Sequence, residues 1–211
     1  MDYLQQLTDL IKRYPRLELV KPAINQAYEI MVESFANGGK LLIAGNGGSS
    51  ADAEHIVGEL MKSFAKKRRL SEHFLGELGK IDPEIAKYLS SGLQPGLPAI
   101  ALSGHASLNT ACMNDIDGNI TFAQQLYGYG KEGDVFLGIS TSGNAKNVLY
   151  ASAVARVKKL KIIGLTGASG GMLKSFTDVC ICVPETTTYK IQELHLPVYH
   201  LLCLMLEDYF F

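Results

Sequence analysis

A histidine and a glutamate four residues apart, His55 and Glu59, follow a glycine-rich turn in the segment GKLLIAGNGGSSADAEHIVGELMKSF, residues 39–64. Residues four apart lie on one face of a helix, so this imidazole and carboxylate would face the same point. Such a pair suits proton transfer between an acid and a base, or the binding of a transition metal. A surface ion pair has the same spacing, and the pair taken alone favours that structural explanation.

A second group of reactive side chains lies far along the chain, in the segment IQELHLPVYH. It contains Gln192, Glu193, His195 and His200. Helical periodicity puts Glu193 and His200 nearly in line, with Gln192 to one side. Pro197 interrupts this simple wheel, because proline removes a backbone donor and bends a helix. Periodicity therefore leaves open which of these side chains would complete a site with His55 and Glu59.

Three turns rich in glycine and serine suit an anion: GNGGSS (45–50), STSGNAKN (140–147) and LTGASGG (165–171). In the first turn Ser49 opens a helix, whose N-terminus offers N–H groups and a partial positive charge. The spacing matches neither a Walker motif nor a Rossmann fingerprint. Hydroxyls and backbone amides without arginine or Mg²⁺ indicate a phosphate that is held as a handle and is not transferred.

Short apolar runs alternate with helix-like segments and would position these turns. Continuous apolarity predicts strands that are covered on both faces, as in a parallel sheet. The sequence thus predicts an α/β three-layer sandwich with five parallel strands, in one domain over residues 1–211. We expect an N-terminal helical arm (1–38), a helical insertion (65–95) and a long closing helix (188–209), and we expect the arm and the closing helix to pack between subunits. The predicted strands are KLLIAG (40–45), PAIALS (98–103), DVFLGIS (134–140), KIIGLTG (161–167) and DVCICV (178–183).

The composition limits the possible partners. Twenty basic and 21 acidic residues leave a net charge of −1, which argues against nucleic acid or a membrane surface as partner. The basic run KKRR (66–69) is expected to be a solvated loop or helix end. No apolar run is long enough to span a membrane, and the N-terminus does not resemble a signal peptide. The four cysteines lack metal-site spacing and are expected to be free thiols, so we expect a cytoplasmic protein.

Several motifs together resemble those of one family. LLIAGNGGSSADAEHIVGEL, NDIDGNITFAQQL, GDVFLGISTSGNAKNV, IIGLTGASGG and IQELHLPVYH occur in the order and spacing of sugar isomerase (SIS) domains, and they are most similar to the phosphoheptose isomerase branch. The resemblance covers nearly the whole chain. It implies a flavodoxin-like fold, a homotetramer with sites at subunit interfaces, one zinc ion per subunit, and conversion of sedoheptulose 7-phosphate into a glycero-manno-heptose 7-phosphate.

The resemblance also assigns roles to residues. It implies that Glu59 and His200 are the acid–base pair, which selects His200 over His195. It implies that zinc is held by His55, Glu59, Gln192 and His200, and so prefers Gln192 to Glu193. The substrate contacts that we expect, with Ser49 added from the glycine-rich turn, are Asn46, Gly47, Gly48, Ser49, Glu59, Asn114, Asp115, Ser140, Thr141, Ser142 and Gln192.

This chain departs from the family pattern at three places. Ala145 replaces a common phosphate-binding serine, Lys190 replaces the usual arginine before IQE, and the insertion over 65–95 is longer than usual. These departures leave two alternatives open. One is an SIS isomerase for a different sugar phosphate. The other is a non-catalytic SIS protein that acts as a scaffold, such as the relatives that bind the replication initiator, or that senses a sugar phosphate.

Overall fold

Five parallel strands form the centre of the fold. The structure is a computed structural model that describes residues 3–211. The strand order in the sheet is β2-β1-β3-β4-β5, and every pair is parallel. All residues of β1 and β3 are buried, which confirms the sheet inferred from continuous apolarity. The bounds are β1 Leu41–Ala44, β2 Ala99–Ala101, β3 Val135–Ser140, β4 Lys161–Thr166 and β5 Val179–Cys182.

Helices cover both faces of this sheet. Along β1, Leu41 and Ile43 belong to one hydrophobic core, and Leu42 and Ala44 belong to another on the opposite face. The first core contains residues of α1, α2, α3 and α9, and the second contains residues of α7 and α8. The three-layer sandwich is therefore confirmed. The helices are α1 Tyr3–Arg13, α2 Lys21–Ala36, α3 Gly48–Met61, α4 Glu72–Ile81, α5 Pro83–Gly92, α6 Ala106–Asp115, α7 Thr121–Tyr129, α8 Lys146–Val157 and α9 Thr188–Phe210.

The closing helix α9 continues through Pro197 and is buried mainly from Pro197 to Glu207. Its cover comes from the same chain, because α1, α2 and α3 all pack against it. Its apolar character therefore has an explanation within one subunit. Packing of α9 and the N-terminal helices between subunits, and the tetramer itself, stay predictions.

The segment between α3 and β2 contains α4 and α5, and the basic run before them is not wholly solvated. Arg68 is only 4% exposed, in contrast to the expected solvated run. Its Nε donates to Glu207 Oε1 at 2.9 Å, and its Nη1 and Nη2 donate to the backbone oxygens of Leu60 and Glu59 at 2.6 and 2.9 Å. A carboxylate and helix-end carbonyls satisfy this guanidinium, so burial is tolerated.

The cysteines are free thiols, as expected. Cys180 and Cys182 share one face of β5, with their Sγ atoms 3.5 Å apart. Between residues 3 and 211, no helix is both long enough and apolar enough to cross a bilayer.

Candidate active site

Helices α3 and α9 lie side by side and run in the same direction. A Cβ at Gly48 would lie 2.4 Å from Gln192 Nε2, and His55 Nδ1 lies 3.0 Å from the Tyr199 hydroxyl. The two contacts are separated by seven residues on α3 and by seven residues on α9. The helices therefore keep the same alignment along the line where they touch, the seam. The seam brings the residues from the two distant sequence segments together.

One end of the seam holds three of the predicted site residues. His55 Nε2 lies 3.1 Å from Glu59 Oε1. The His55 and His200 rings have centroids 4.9 Å apart and meet edge to face. His200 Nε2 is buried and has no hydrogen-bond partner among the residues that the structure describes. His200 and Glu59, the pair expected to transfer protons, therefore both lie against His55.

The environment of His200 keeps its imidazole neutral. Burial lowers the pKa of His200, and the neighbouring His55 lowers it further, against a smaller opposing effect of Glu59. Its ring therefore carries one N–H and one lone pair at neutral pH. His195 lies elsewhere: it is fully buried, and burial lowers its pKa to about 4.

A hydrogen-bonded chain lies behind His55. The Tyr199 hydroxyl donates to Asp52 Oδ1 at 3.2 Å and also lies against His55 Nδ1. The second carboxylate oxygen of Asp52 is buried without a hydrogen-bond partner in the described part of the chain. Burial raises the pKa of Tyr199, and the adjacent Asp52 carboxylate raises it further, so the phenol stays protonated. Spacing along the sequence did not predict this contact between α3 and α9.

The other end of the seam is a cavity of about 330 Å³ where the turns after β1 and β3 meet. Gly47, with φ +54°, and Gly143, with φ +67°, adopt left-handed backbone conformations that glycine permits. No charged side chain lines the cavity, so an anion there would meet hydroxyls, amides and the N-terminus of α3. The lining residues are Asn46, Gly47, Gly48, Ser49, Ile139, Ser140, Thr141, Ser142, Ala145, Thr188 and Gln192.

The two glycine- and serine-rich turns are joined by a side-chain pair that their sequence motifs did not predict. Asn46 Nδ2 donates to Asn147 Oδ1 at 2.9 Å, and Asn147 Nδ2 donates back to Asn46 Oδ1 at 2.8 Å. This reciprocal pair fixes the turn after β1 against the start of α8.

The remaining predicted residues lie apart from the cluster around His55. Gln192 lines the loop cavity and precedes His200 by eight residues, or about 12 Å of helix. Asn114 and Asp115 are exposed at the end of α6, where Asn114 Nδ2 donates to Asp115 Oδ1 at 2.8 Å. Neither of them lines the loop cavity.

The donors around His55 fit zinc by their chemistry. Imidazole nitrogen and carboxylate oxygen are ordinary zinc ligands, and the buried His200 Nε2 lacks a partner in the described chain. Among the described residues, no three His, Cys, Asp or Glu side chains are gathered closely enough to hold an ion.

Comparisons with known proteins identify the family of this chain. The sequence profile described as SIS domain matches residues 2–92 and 89–167. The chain belongs to the SIS domain family. It is 38% identical over 207 residues to the phosphoheptose isomerase of Roseiflexus sp., which covers 98% of this chain and 91% of the relative. It is 40% identical over 189 residues to that of Thiobacillus denitrificans, with 88% and 83% covered.

Solved structures of the same branch of the SIS domain family share the fold. The phosphoheptose isomerase of Neisseria gonorrhoeae has a TM-score of 0.74 at 31% identity, over 95% of this chain and 94% of that one. That of Francisella tularensis has the same TM-score and identity, with 99% and 100% covered.

One departure from the SIS pattern has a visible local effect. Ala145 is the N-cap residue of α8 and makes no side-chain capping bond. A serine there would supply a hydroxyl both to the helix end and to the loop cavity. A ligand in the loop cavity would therefore meet one hydroxyl fewer at that turn.

Proposed function

We propose that this protein is an aldose–ketose isomerase that converts sedoheptulose 7-phosphate into D-glycero-D-manno-heptose 7-phosphate. The observation that carries the proposal is that Glu59 and His200, from helices far apart in the sequence, both lie against His55. The phosphoheptose isomerases that match over nearly the whole chain support the same reaction.

The phosphate group would be held in the loop cavity. Ser140, Thr141 and Ser142 offer hydroxyls and N–H groups, and α3 presents its N-terminus at Gly48. Neutral donors together with a helix dipole bind a phosphate without activating it. The phosphate therefore serves as the handle that orients the sugar.

Proton transfer would be divided between Glu59 and His200. The Glu59 carboxylate takes the proton from C1 of the ketose, and the C–H electron pair forms the C1–C2 double bond of an enediol. The neutral His200 imidazole protonates the C2 oxygen and accepts the O1 proton, because it carries both an N–H and a lone pair. Return of the Glu59 proton to C2 completes the aldose. The step balances because one proton leaves C1 and one arrives at C2, and the proton held on Glu59 in between exchanges with solvent.

We further propose that zinc is held by His55, Glu59 and His200, with the predicted fourth ligand Gln192. When bound there, zinc would polarise the sugar carbonyl and fix the geometry of the pair. Glu59 and His200 would then each serve both metal binding and proton transfer, so these two duties compete. Gln192 lines the loop cavity, about 12 Å of helix away from His200.

We propose that the site is completed between subunits of a homotetramer in the cytoplasm. Gly48 and Glu59 are 11 residues apart on α3, which corresponds to about 16 Å along the helix. The six carbon–carbon bonds of a heptose span at most roughly 9 Å at about 1.5 Å each. Loops of one subunit and acid–base groups of another would remove this mismatch. The free thiols support a reducing compartment.

The activity is tested by incubating the purified protein with sedoheptulose 7-phosphate and a panel of five- to seven-carbon sugar phosphates. NMR would follow exchange of the C1 and C2 protons with solvent. We expect exchange with the heptose phosphate and a loss of at least about 100-fold in Glu59→Gln and His200→Ala. Matched controls are Glu54→Gln, which is exposed on α3, and His73→Ala, which is exposed on α4.

The outcomes separate the alternatives. Full turnover in both site variants would refute the acid–base assignment. Exchange with only a shorter sugar phosphate would reassign the substrate. Binding of the sugar phosphate without any proton exchange would favour the sensor or scaffold alternative.

Shared sites are tested by mixing subunits. Glu59→Gln and Gly48→Leu, whose side chain would collide with Gln192 and fill the loop cavity, are expected to be inactive alone. Co-expressed, they should regain activity if each site draws on two subunits. Mixed oligomers that form, as seen by native mass spectrometry, but stay inactive would show that each subunit has a complete site.

A further inference from the structure

Two side chains outside the predicted site, Asp52 and Tyr199, are placed to control which ring nitrogen of His55 carries the proton. Asp52 lies three residues before His55 on α3, and Tyr199 lies directly before His200 on α9. The Tyr199 hydroxyl bridges Asp52 Oδ1, at 3.2 Å, and His55 Nδ1, at 3.0 Å. Its ring also packs edge to face on both imidazoles, with centroids 5.5 Å from His55 and 5.0 Å from His200.

The direction of this hydrogen-bonded chain follows from the number of protons. A phenol carries one proton and a carboxylate carries none. If the Tyr199 proton pointed to His55, its oxygen lone pairs would face the Asp52 carboxylate, and the buried Asp52 Oδ2 already lacks a partner in the described chain. A buried carboxylate without a donor is costly. The Tyr199 hydroxyl therefore donates to Asp52, and His55 Nδ1 must donate to the Tyr199 oxygen.

The direction of these hydrogen bonds determines what His55 Nε2 can bind. A neutral His55 that carries its proton on Nδ1 presents a lone pair at Nε2, 3.1 Å from Glu59 Oε1. Two acceptors at that distance repel each other unless a second proton or a metal ion lies between them. Without the hydrogen bonds from Asp52 and Tyr199, the neutral His55 ring would donate its Nε2–H to the Glu59 carboxylate. That nitrogen could then not bind a metal.

We propose that Tyr199 and Asp52 are positioning residues that hold His55 in its Nδ1–H tautomer and so leave Nε2 as the metal-binding atom. The inference rests on the proposed zinc site. Partners that orient a ligating histidine in this way tune the metal affinity by about 10- to 100-fold. Because Tyr199 also packs on His200, one side chain orients two ligands that lie on different helices.

The tautomer is tested directly in the metal-free protein. NMR of the histidine ring nitrogens distinguishes Nδ1–H from Nε2–H at about pH 9, where free imidazole is neutral. We expect Nδ1–H at His55 in the wild type and Nε2–H in Tyr199→Phe. Asp52→Ala should also give Nε2–H, because the Tyr199 proton then turns to His55. Tyr209→Phe, an exposed tyrosine on the same helix, should leave the tautomer unchanged.

Metal affinity gives the second readout. In competition with a chelator, Tyr199→Phe and Asp52→Ala should each bind zinc about 10- to 100-fold more weakly. The double variant should lose no more zinc affinity than either single variant, because Asp52 and Tyr199 act on His55 as one hydrogen-bonded unit. Thermal unfolding of each variant identifies losses that come from misfolding.

The results separate this inference from the proposed function. An unchanged tautomer and unchanged zinc affinity in folded Tyr199→Phe would overturn the positioning role. Additive losses in the double variant would also overturn it. A wild type that shows the expected tautomer and binds zinc but exchanges no sugar protons would refute the isomerase and leave the positioning role in place.

Discussion

The buried pair of Arg68 and Glu207 supports a quantitative test of the fold around α3. Their side chains are 0% and 1% exposed, and Arg68 also donates to the last-turn carbonyls of Glu59 and Leu60. The change to make is Arg68→Met, which keeps the apolar stem and removes the charge and its donors. It leaves the Glu207 carboxylate buried without its cation.

The expected cost follows from what remains around Glu207. Removal of one partner of a buried ion pair costs about 3–5 kcal/mol of the free energy of unfolding. Glu207 keeps three backbone donors, the N–H groups of Phe64, Ala65 and Lys66 at 2.8, 2.7 and 3.0 Å. These donors place the loss near the lower limit, at about 3 kcal/mol. For a chain of this size, that corresponds to a fall in Tm of roughly 6–12 °C.

Differential scanning calorimetry at pH 7 measures this loss, with Arg69→Met as the matched control. Arg69 is the exposed neighbour in the same basic run, and its replacement should stay within about 0.5 kcal/mol. An Arg68→Met protein that is as stable as Arg69→Met would refute the buried pair and restore the expectation of a solvated run.

The pH dependence gives a second test of the same pair. Burial raises the pKa of Glu207, but the three N–H groups and Arg68 together outweigh burial and hold this pKa below its usual value. The stabilisation from a carboxyl with a lowered pKa is present above the unfolded-state pKa and is lost as pH falls through the folded-state pKa. The stability difference between wild type and Arg68→Met should therefore shrink below about pH 4.5. A constant difference down to pH 3 would show that Glu207 is not the partner that matters.

Three further predictions concern the loop cavity and the thiols. Ala145→Ser should add about 1 kcal/mol of stability as a helix cap and lower KM for the phosphorylated sugar, as measured by thermal unfolding and by kinetics; a raised KM would contradict the phosphate assignment. Gly48→Ala should displace the Gln192 amide, which a Cβ would approach to 2.4 Å, and raise KM about tenfold, or about 1.4 kcal/mol, with little change in Tm; an unchanged KM would exclude Gln192 from substrate binding. A hydrogen bond with Cys180 lowers the pKa of Cys182 to about 6, so iodoacetamide should alkylate Cys182 rapidly at pH 7. In Cys180→Ala this reaction should slow by more than about tenfold, as mass spectrometry would show, and equal rates would exclude the thiol pair.

The sheet was predictable from the sequence because both faces of its strands are buried. Continuous apolar runs such as LLIA over β1 have no polar face, and this pattern is typical of a strand that is covered on both sides. The start of α2 beside Pro22 was predictable for a local reason too, since proline suits the first turn of a helix. Local patterns were sufficient where local chemistry decides the structure.

Features that depend on distant partners were not predictable in this way. Arg68 is buried because Glu207, 139 residues away, receives its guanidinium, and nothing in the run KKRR indicates that partner. The Tyr199–Asp52 bond joins residues 147 apart. Periodicity could not choose between Gln192 and Glu193, and only the family resemblance favoured Gln192.

The shared register of α3 and α9 also limits how such a site changes during evolution. A slip of one residue between the helices would shift them by about 1.5 Å and turn side chains by about 100°. That slip would part Gly48 from Gln192 and His55 from Tyr199 at the same time. Adaptation to a longer or shorter sugar is therefore expected to alter the turns at the sheet edge or the way in which subunits assemble, while the alignment of the two helices stays the same.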